Sequence, residues 1–163
     1  MRTRKRKLTF AQKAYLTTKV PAGNTRAQIE KMLEGLNITE TRITKVGSDY
    51  TVEFLVKMNT QEFPRKIKID VPINSELGED LKTAEKKKNM VFRVLYWHLR
   101  NKFIAVAKGL KEFEEEFMSD LVIKVGKDEV RLGDIILPKY KAQLKNHAVA
   151  VFAIDSGKGG EEK

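Results

Sequence analysis

One helix constrains this chain more than any other feature. From about residue 80 to Gly109 the sequence reads as a single long helix. At 100° per residue, Phe92, Leu95, Leu99, Phe103 and Val106 fall on one side, with Tyr96 at their edge. A stripe of this kind needs a partner surface. A second line runs along the same helix at close to seven-residue spacing: Lys82, Lys86, Arg93, Trp97, Arg100 and Ile104. It joins cations to the chain's single tryptophan.

The partner surface lies upstream. Residues 50–58 alternate, with Val52, Phe54, Val56 and Met58 on one side and Thr51, Glu53 and Lys57 on the other, as in a half-buried antiparallel strand. Residues 41–46 precede it across a Gly47-Ser48-Asp49 turn, and residues 63–71 follow it. In the latter strand Ile67, Ile69 and Val71 face inward, Arg65 shares their side near the start, and Lys66, Lys68 and Asp70 face out. Residues 14–20 are also β-prone and end at Pro21. A helix is expected from Thr25, with Gln28 as its capping-box partner and Ile29, Met32, Leu33 and Leu36 on one face. After Gly109 come a short acidic helix (112–120), a hairpin (121–125 and 129–132, around Gly126) and a last helix over 134–144 that contains Pro138. Residues 147–154 are apolar and β-prone.

These elements predict an α+β fold. An antiparallel sheet of three or four strands packs against the long basic helix and the shorter N-terminal helix, and a small helix-hairpin-helix unit completes it. The expected organisation is a flexible basic arm at 1–10, one domain at 11–154 and a disordered tail at 155–163. A chain of 163 residues, 41% apolar, is long enough to bury a core without staples.

Composition narrows the chemistry. There is no cysteine, which removes disulfides, thiolate zinc sites and a cysteine nucleophile and fits a reducing compartment. The two histidines, His98 and His147, leave little for a metal site or a histidine triad. No apolar run approaches the roughly 18–20 residues that span a bilayer. The basic start lacks the apolar segment of a signal peptide. The expected compartment is the cytoplasm. Abundant Lys and Glu point to a thermophilic or archaeal source. No cofactor is expected.

A net charge of +10 makes polyanions the first partners to consider, because binding phosphates releases condensed counterions. The candidate nucleic-acid contacts are Arg2, Arg4, Lys5, Arg6 and Lys7 of the arm; Arg65, Lys66 and Lys68 of the third strand; and Lys86, Arg93, Tyr96, Trp97 and Arg100 of the long helix. Cations hold phosphates, and Trp or Tyr offers a face on which any base stacks. Two readings of Trp97 stand: a stacking platform, or a side chain packed beneath the sheet. The strand cations likewise read either as a groove wall or as guards of an exposed sheet edge. Glu112 and Glu116 share a helix face but lack the strand carboxylate and lysine of a metal nuclease, so neither a metal nor a catalytic residue is assigned.

Three stretches carry a resemblance: Val20-Pro-Ala-Gly-Asn-Thr-Arg-Ala-Gln-Ile-Glu-Lys-Met-Leu33, Arg93 through Gly109, and Phe113-Glu-Glu-Glu-Phe117 followed by Leu121-Val-Ile. In this order they resemble a family of short proteins found in phages, prophages and other mobile elements. Lys111 stands where that family has Ser or Thr, and an apolar stretch at 148–154 replaces its proline-rich end. The resemblance implies a mobile-element or viral protein with DNA as a natural partner. In layout and charge, though in no motif, the chain is also similar to the ThermoDBP-like single-stranded-DNA-binding proteins of archaea. The expected function is therefore non-enzymatic binding of nucleic acid, single-stranded DNA above all, through a basic groove with an aromatic residue. The alternative is a mobile-element or viral factor that binds a host protein. A homo-oligomer is a further expectation, and a membrane partner is not expected.

Overall fold

Alternation along the chain builds the centre of the sheet. The computed structural model describes residue 15, residues 18–57 and residues 64–147. In it, β2 (Asp49–Val56) lies between β1 (Thr41–Val46) and β3 (Arg65–Val71), antiparallel to both. Tyr50, Val52, Phe54 and Val56 are buried, and the register sets Val52 between Ile43 and Ile69. A one-residue slip would turn this whole set to water, so burial fixes the register. Gly47, at φ 62°, supplies the left-handed backbone that the tight β1–β2 turn requires. Among the described residues this sheet has three strands.

Helices α1 (Ala22–Gly35) and α2 (Leu81–Ala107) close the inner face of the sheet. Ile29 and Leu33 of α1 and Phe92, Leu95 and Leu99 of α2 share one core cluster with the inward residues of β2 and β3, and Phe103 and Val106 pack against it. Tyr50 meets Phe92 edge-on at 5.1 Å. Asp80 caps α2 by accepting from the Thr83 amide at 2.7 Å, and Gly109, at φ 69°, follows its end. Helix α1 starts three residues before the expected Thr25. Its first amide, Ala22, donates to Asn89 Oδ1 at 2.7 Å, so a side chain of α2 satisfies an orphan group of α1. Thr25 is buried and turns its hydroxyl to Pro21 O, and Gln28 is not a cap.

The expected strand at 14–20 does not form where it is described. Thr18 N bonds Tyr15 O at 3.0 Å and Val20 N bonds Thr18 Oγ1, so these amides serve a local turn. Met58, the basic arm and residues 148–163 lie outside the described residues.

The rest of the chain is α3 (Phe113–Phe117), the β4–β5 hairpin (Val122–Val125, Asp128–Arg131) and α4 (Leu132–His147). Phe113 and Phe117 are buried, and Phe117 lies 5.1 Å from the Phe103 ring. Lys102 fastens α3 to α2. Its ammonium is buried, donates to Glu116 O, faces Asp120 Oδ2 at 3.4 Å and stands over the Phe117 ring. Lys111 is no cap here; Glu112 and Glu115 form a capping box instead. Lys68 N bonds Asp120 O, and Ile67 bridges Leu121, so this unit is stitched to the β3 edge. Helix α4 begins against Ser119, where a Cβ on Gly133 would come within 2.6 Å of Ser119 O. Pro138 sits inside α4 rather than ending it. No helix among the described residues is long and apolar enough to cross a membrane.

Lys102→Ala leaves the α3 carbonyl and Asp120 without their buried cation. Urea unfolding is expected to show a loss of about 3 kcal/mol, against under about 0.5 kcal/mol for the exposed Lys108→Ala.

Candidate nucleic-acid interface

Helix α2 carries seven Lys and Arg residues against one Glu. Lys87 and Lys102 are held by protein carboxylates, at Glu79 and Asp120. Lys82, Lys86, Lys88, Arg93 and Arg100 form no ion pair among the described residues. Lys82, Lys86, Arg93 and Arg100 share one line with Trp97, turned away from the sheet by the helical period.

Trp97 is not part of the core cluster and is only partly covered. The ring and cation contacts it makes come from its own helix. The Arg93 guanidinium lies 5.3 Å from the indole and 5.0 Å from the Tyr96 ring, Arg100 approaches the indole at 5.0 Å, and Tyr96 meets Trp97 edge-on at 5.3 Å. Of the two readings of Trp97, packing beneath the sheet is therefore not what the fold adopts. Arg93 is further fixed by Gln28 of α1, whose Oε1 accepts from Nη1 at 2.7 Å. The Ala22–Asn89 and Gln28–Arg93 contacts advance in the same sense along both helices, so α1 flanks the aromatic line in a parallel course. The sequence reading missed Gln28. Its place three residues after Thr25 suggested a cap, and only the docking of α1 on α2 reveals its partner.

The strand cations stand elsewhere. Lys66 and Lys68 project from the outer face of the sheet, opposite the helices, and do not join the α2 line in one groove. The hairpin reaches over that face with matching carboxylates. Lys66 pairs with Glu129 and, at 3.6 Å, with Glu53; Glu53 also holds Arg42; Arg131 bridges Asp70 and Asp134. Lys68 lies directly across from Glu53 in the β2–β3 register. Arg65 pairs with Glu114 of α3 at 2.6 Å. Between sheet and hairpin lies a groove of 440 Å³ lined by Arg42, Glu53, Lys66 and Glu129 among others, with its charges already matched.

That matching shows in the titrations. Burial works to raise the pKa of Glu53, but the hydrogen bond from Arg42 and the charges of Lys66, Arg42 and Lys68 together hold it below its ordinary value. The Lys66 bond lowers that of Glu129, and Glu129, against a smaller cost of burial, raises that of Lys66. Arg2, Arg4, Lys5, Arg6 and Lys7 lie outside the described residues. The acidic helix assembles no metal cage: Glu112 caps α3, Glu116 pairs with Lys111, and no cluster of metal-ligating residues occurs among the described residues. No family model, curated protein or solved structure matches the chain.

Two outcomes follow from this placement. Leu99→Ala, in the core cluster, is expected to cost about 3 kcal/mol in urea unfolding, and Trp97→Ala, half-buried outside that cluster, about 1–2 kcal/mol. Carboxylates with depressed pKa values stabilise the fold above their unfolded value near 4.5 and lose that contribution as pH falls through the folded value. The melting temperature is therefore expected to drop as pH is lowered from 4.5, and to drop less in Glu53→Gln.

Proposed function

We propose that this protein is a non-catalytic, cytoplasmic nucleic-acid-binding protein that engages single-stranded DNA along the outward line of α2. One observation carries the reading: four cations without ion-pair partners among the described residues share one helix line with the chain's only tryptophan. Phosphates that meet Lys82, Lys86, Arg93 and Arg100 displace counterions rather than protein carboxylates, so the contacts keep their full electrostatic value. Lys82 to Arg100 spans about 27 Å of helix, room for a short run of backbone. The exposed part of Trp97 offers contact surface to bases, which an unpaired strand presents and a duplex does not, while Tyr96 packs against the core cluster and backs the indole. The basic arm, Arg2 to Lys7, adds phosphate contacts, and the mobile-element resemblance supplies a setting in which such DNA arises.

Lys66 stands apart from this line, held by Glu53 and Glu129, and Lys68 lies across from Glu53 on the same outer face. The second reading, a factor that binds a host protein, draws on the exposed apolar face of α4.

The test is fluorescence anisotropy with matched single- and double-stranded oligonucleotides over a range of salt. Tighter single-strand binding that weakens linearly in log salt is expected. Arg100→Ala should reduce the salt slope by about 0.7, one single-strand phosphate contact, while Lys66→Ala leaves it unchanged. Absence of binding at low salt, or equal slopes in both variants, would contradict the proposal.

A further inference from the structure

Helix α4 leaves the body of the protein with its apolar side uncovered. Ile136, Leu137, Tyr140 and Leu144 lie within about a 100° arc of the helix, and each is 40–54% exposed. The contacts that anchor α4 come from its first turn: Gly133 N on Ser119 O, and Asp134 paired with Arg131. A helix of 16 residues gains little stability in water from its backbone alone, so an amphipathic one needs a covering surface.

Charge says which surface fits. Lys139 and Lys141 are exposed, flank the stripe on either side and have no ion pair among the described residues. The complementary surface is on this same chain, around α3. Leu110 is 77% exposed and Met118 44%. Beside them Glu112 and Glu115 are exposed, and neither meets a Lys or Arg among the described residues, whereas Glu114 and Glu116 are taken by Arg65 and Lys111. Among the described residues of one chain the two surfaces meet where α4 starts, at Ser119, and no ion pair joins them. Pairing α4 with α4 of another copy would set these lysines against their own kind. Pairing α4 with α3 sets lysine against glutamate and apolar against apolar.

We infer that the protein self-associates as a two-fold dimer in which α4 of each copy covers the acidic, apolar surface around α3 of the other. Exchanged about a two-fold axis, the contacts satisfy both surfaces of each copy and leave neither to recruit a third. It does not depend on the nucleic-acid reading.

The test is the mass of the full chain in solution by light scattering and sedimentation, from micromolar to millimolar concentration. Twice the chain mass of 18.7 kDa is expected. Leu137→Glu and Tyr140→Glu should each give a monomer with an unchanged α2–sheet melting transition, since neither side chain enters the core. The assignment to α3 is tested by charge exchange. Lys139→Glu/Lys141→Glu and Glu112→Lys/Glu115→Lys should each be monomeric alone and pair when mixed. Should the second variant fail to fold, Met118→Lys, outside the capping box, replaces it. A monomer at every concentration overturns the inference, whether a host protein or residues 148–163 then cover α4. A dimer indifferent to the α4 substitutions also overturns it.

Discussion

Everything in this structure hangs on the burial of one side of α2 against the β-meander. Phe92, Leu95 and Leu99 meet Tyr50, Phe54 and their neighbours in one cluster, and each such side chain contributes about 1.5–3 kcal/mol when removed from water. The same contact orients the flank of the helix. Once Phe92 is under the sheet, the helical period sets Arg93, Trp97 and Arg100 along the side of α2, where Arg100 is exposed and Arg93 and Trp97 are half-buried. Helix α1 docks beside this line through Asn89 and Arg93, and α3 docks at its far end through Phe103 and Lys102. The core thus fixes the geometry of the candidate site, and Tyr96 touches both.

A net charge of +10 is spread unevenly. On the outer sheet face, cations and carboxylates alternate across strands and the hairpin folds further carboxylates over them, so Lys66, Arg42 and Arg131 hold elements together. Partly screened pairs of this kind contribute modestly to stability, but they keep the cations from a competing polyanion. Along the outward line of α2 no carboxylate pairs with the cations among the described residues, and Arg93 and Arg100 lie against the Trp97 ring instead. Cation–π contact leaves the positive charge available to phosphate, because a ring quadrupole does not neutralise it. This is why two stretches that look equally basic in sequence differ in what they offer a ligand.

Much of the architecture was legible. The two-residue period of 50–56 marked β2, and the 3.6-residue period of α2 marked its buried stripe, since both patterns report a single dominant partner surface. The Phe-Glu-Glu-Glu-Phe block was legible as a helix, but its tie to Lys102 was not, because lysine is the residue least expected inside. Thr25 and Gln28 matched a cap in sequence, yet Thr25 turns back on Pro21 O one helix turn earlier and the tertiary contact with Arg93 takes Gln28. Residues 18–20 carry strand propensity, but a local turn takes up their amides. In the candidate site, Arg93, Tyr96, Trp97 and Arg100 stood together in sequence as they do in space, being one helix turn apart. Lys66 did not reveal its carboxylate, which arrives from Glu129, some sixty residues away.

Trp97 is the chain's only tryptophan, so its emission reports on the candidate site and nothing else. Titration of the protein with oligothymidylate, following indole fluorescence and anisotropy on the same samples, tests whether bases meet α2. The expected result is saturable quenching of Trp97 with the same midpoint as the anisotropy change, both shifting together as salt rises. Binding by anisotropy with unchanged indole emission would place the nucleic acid elsewhere on the molecule and contradict the assignment of α2.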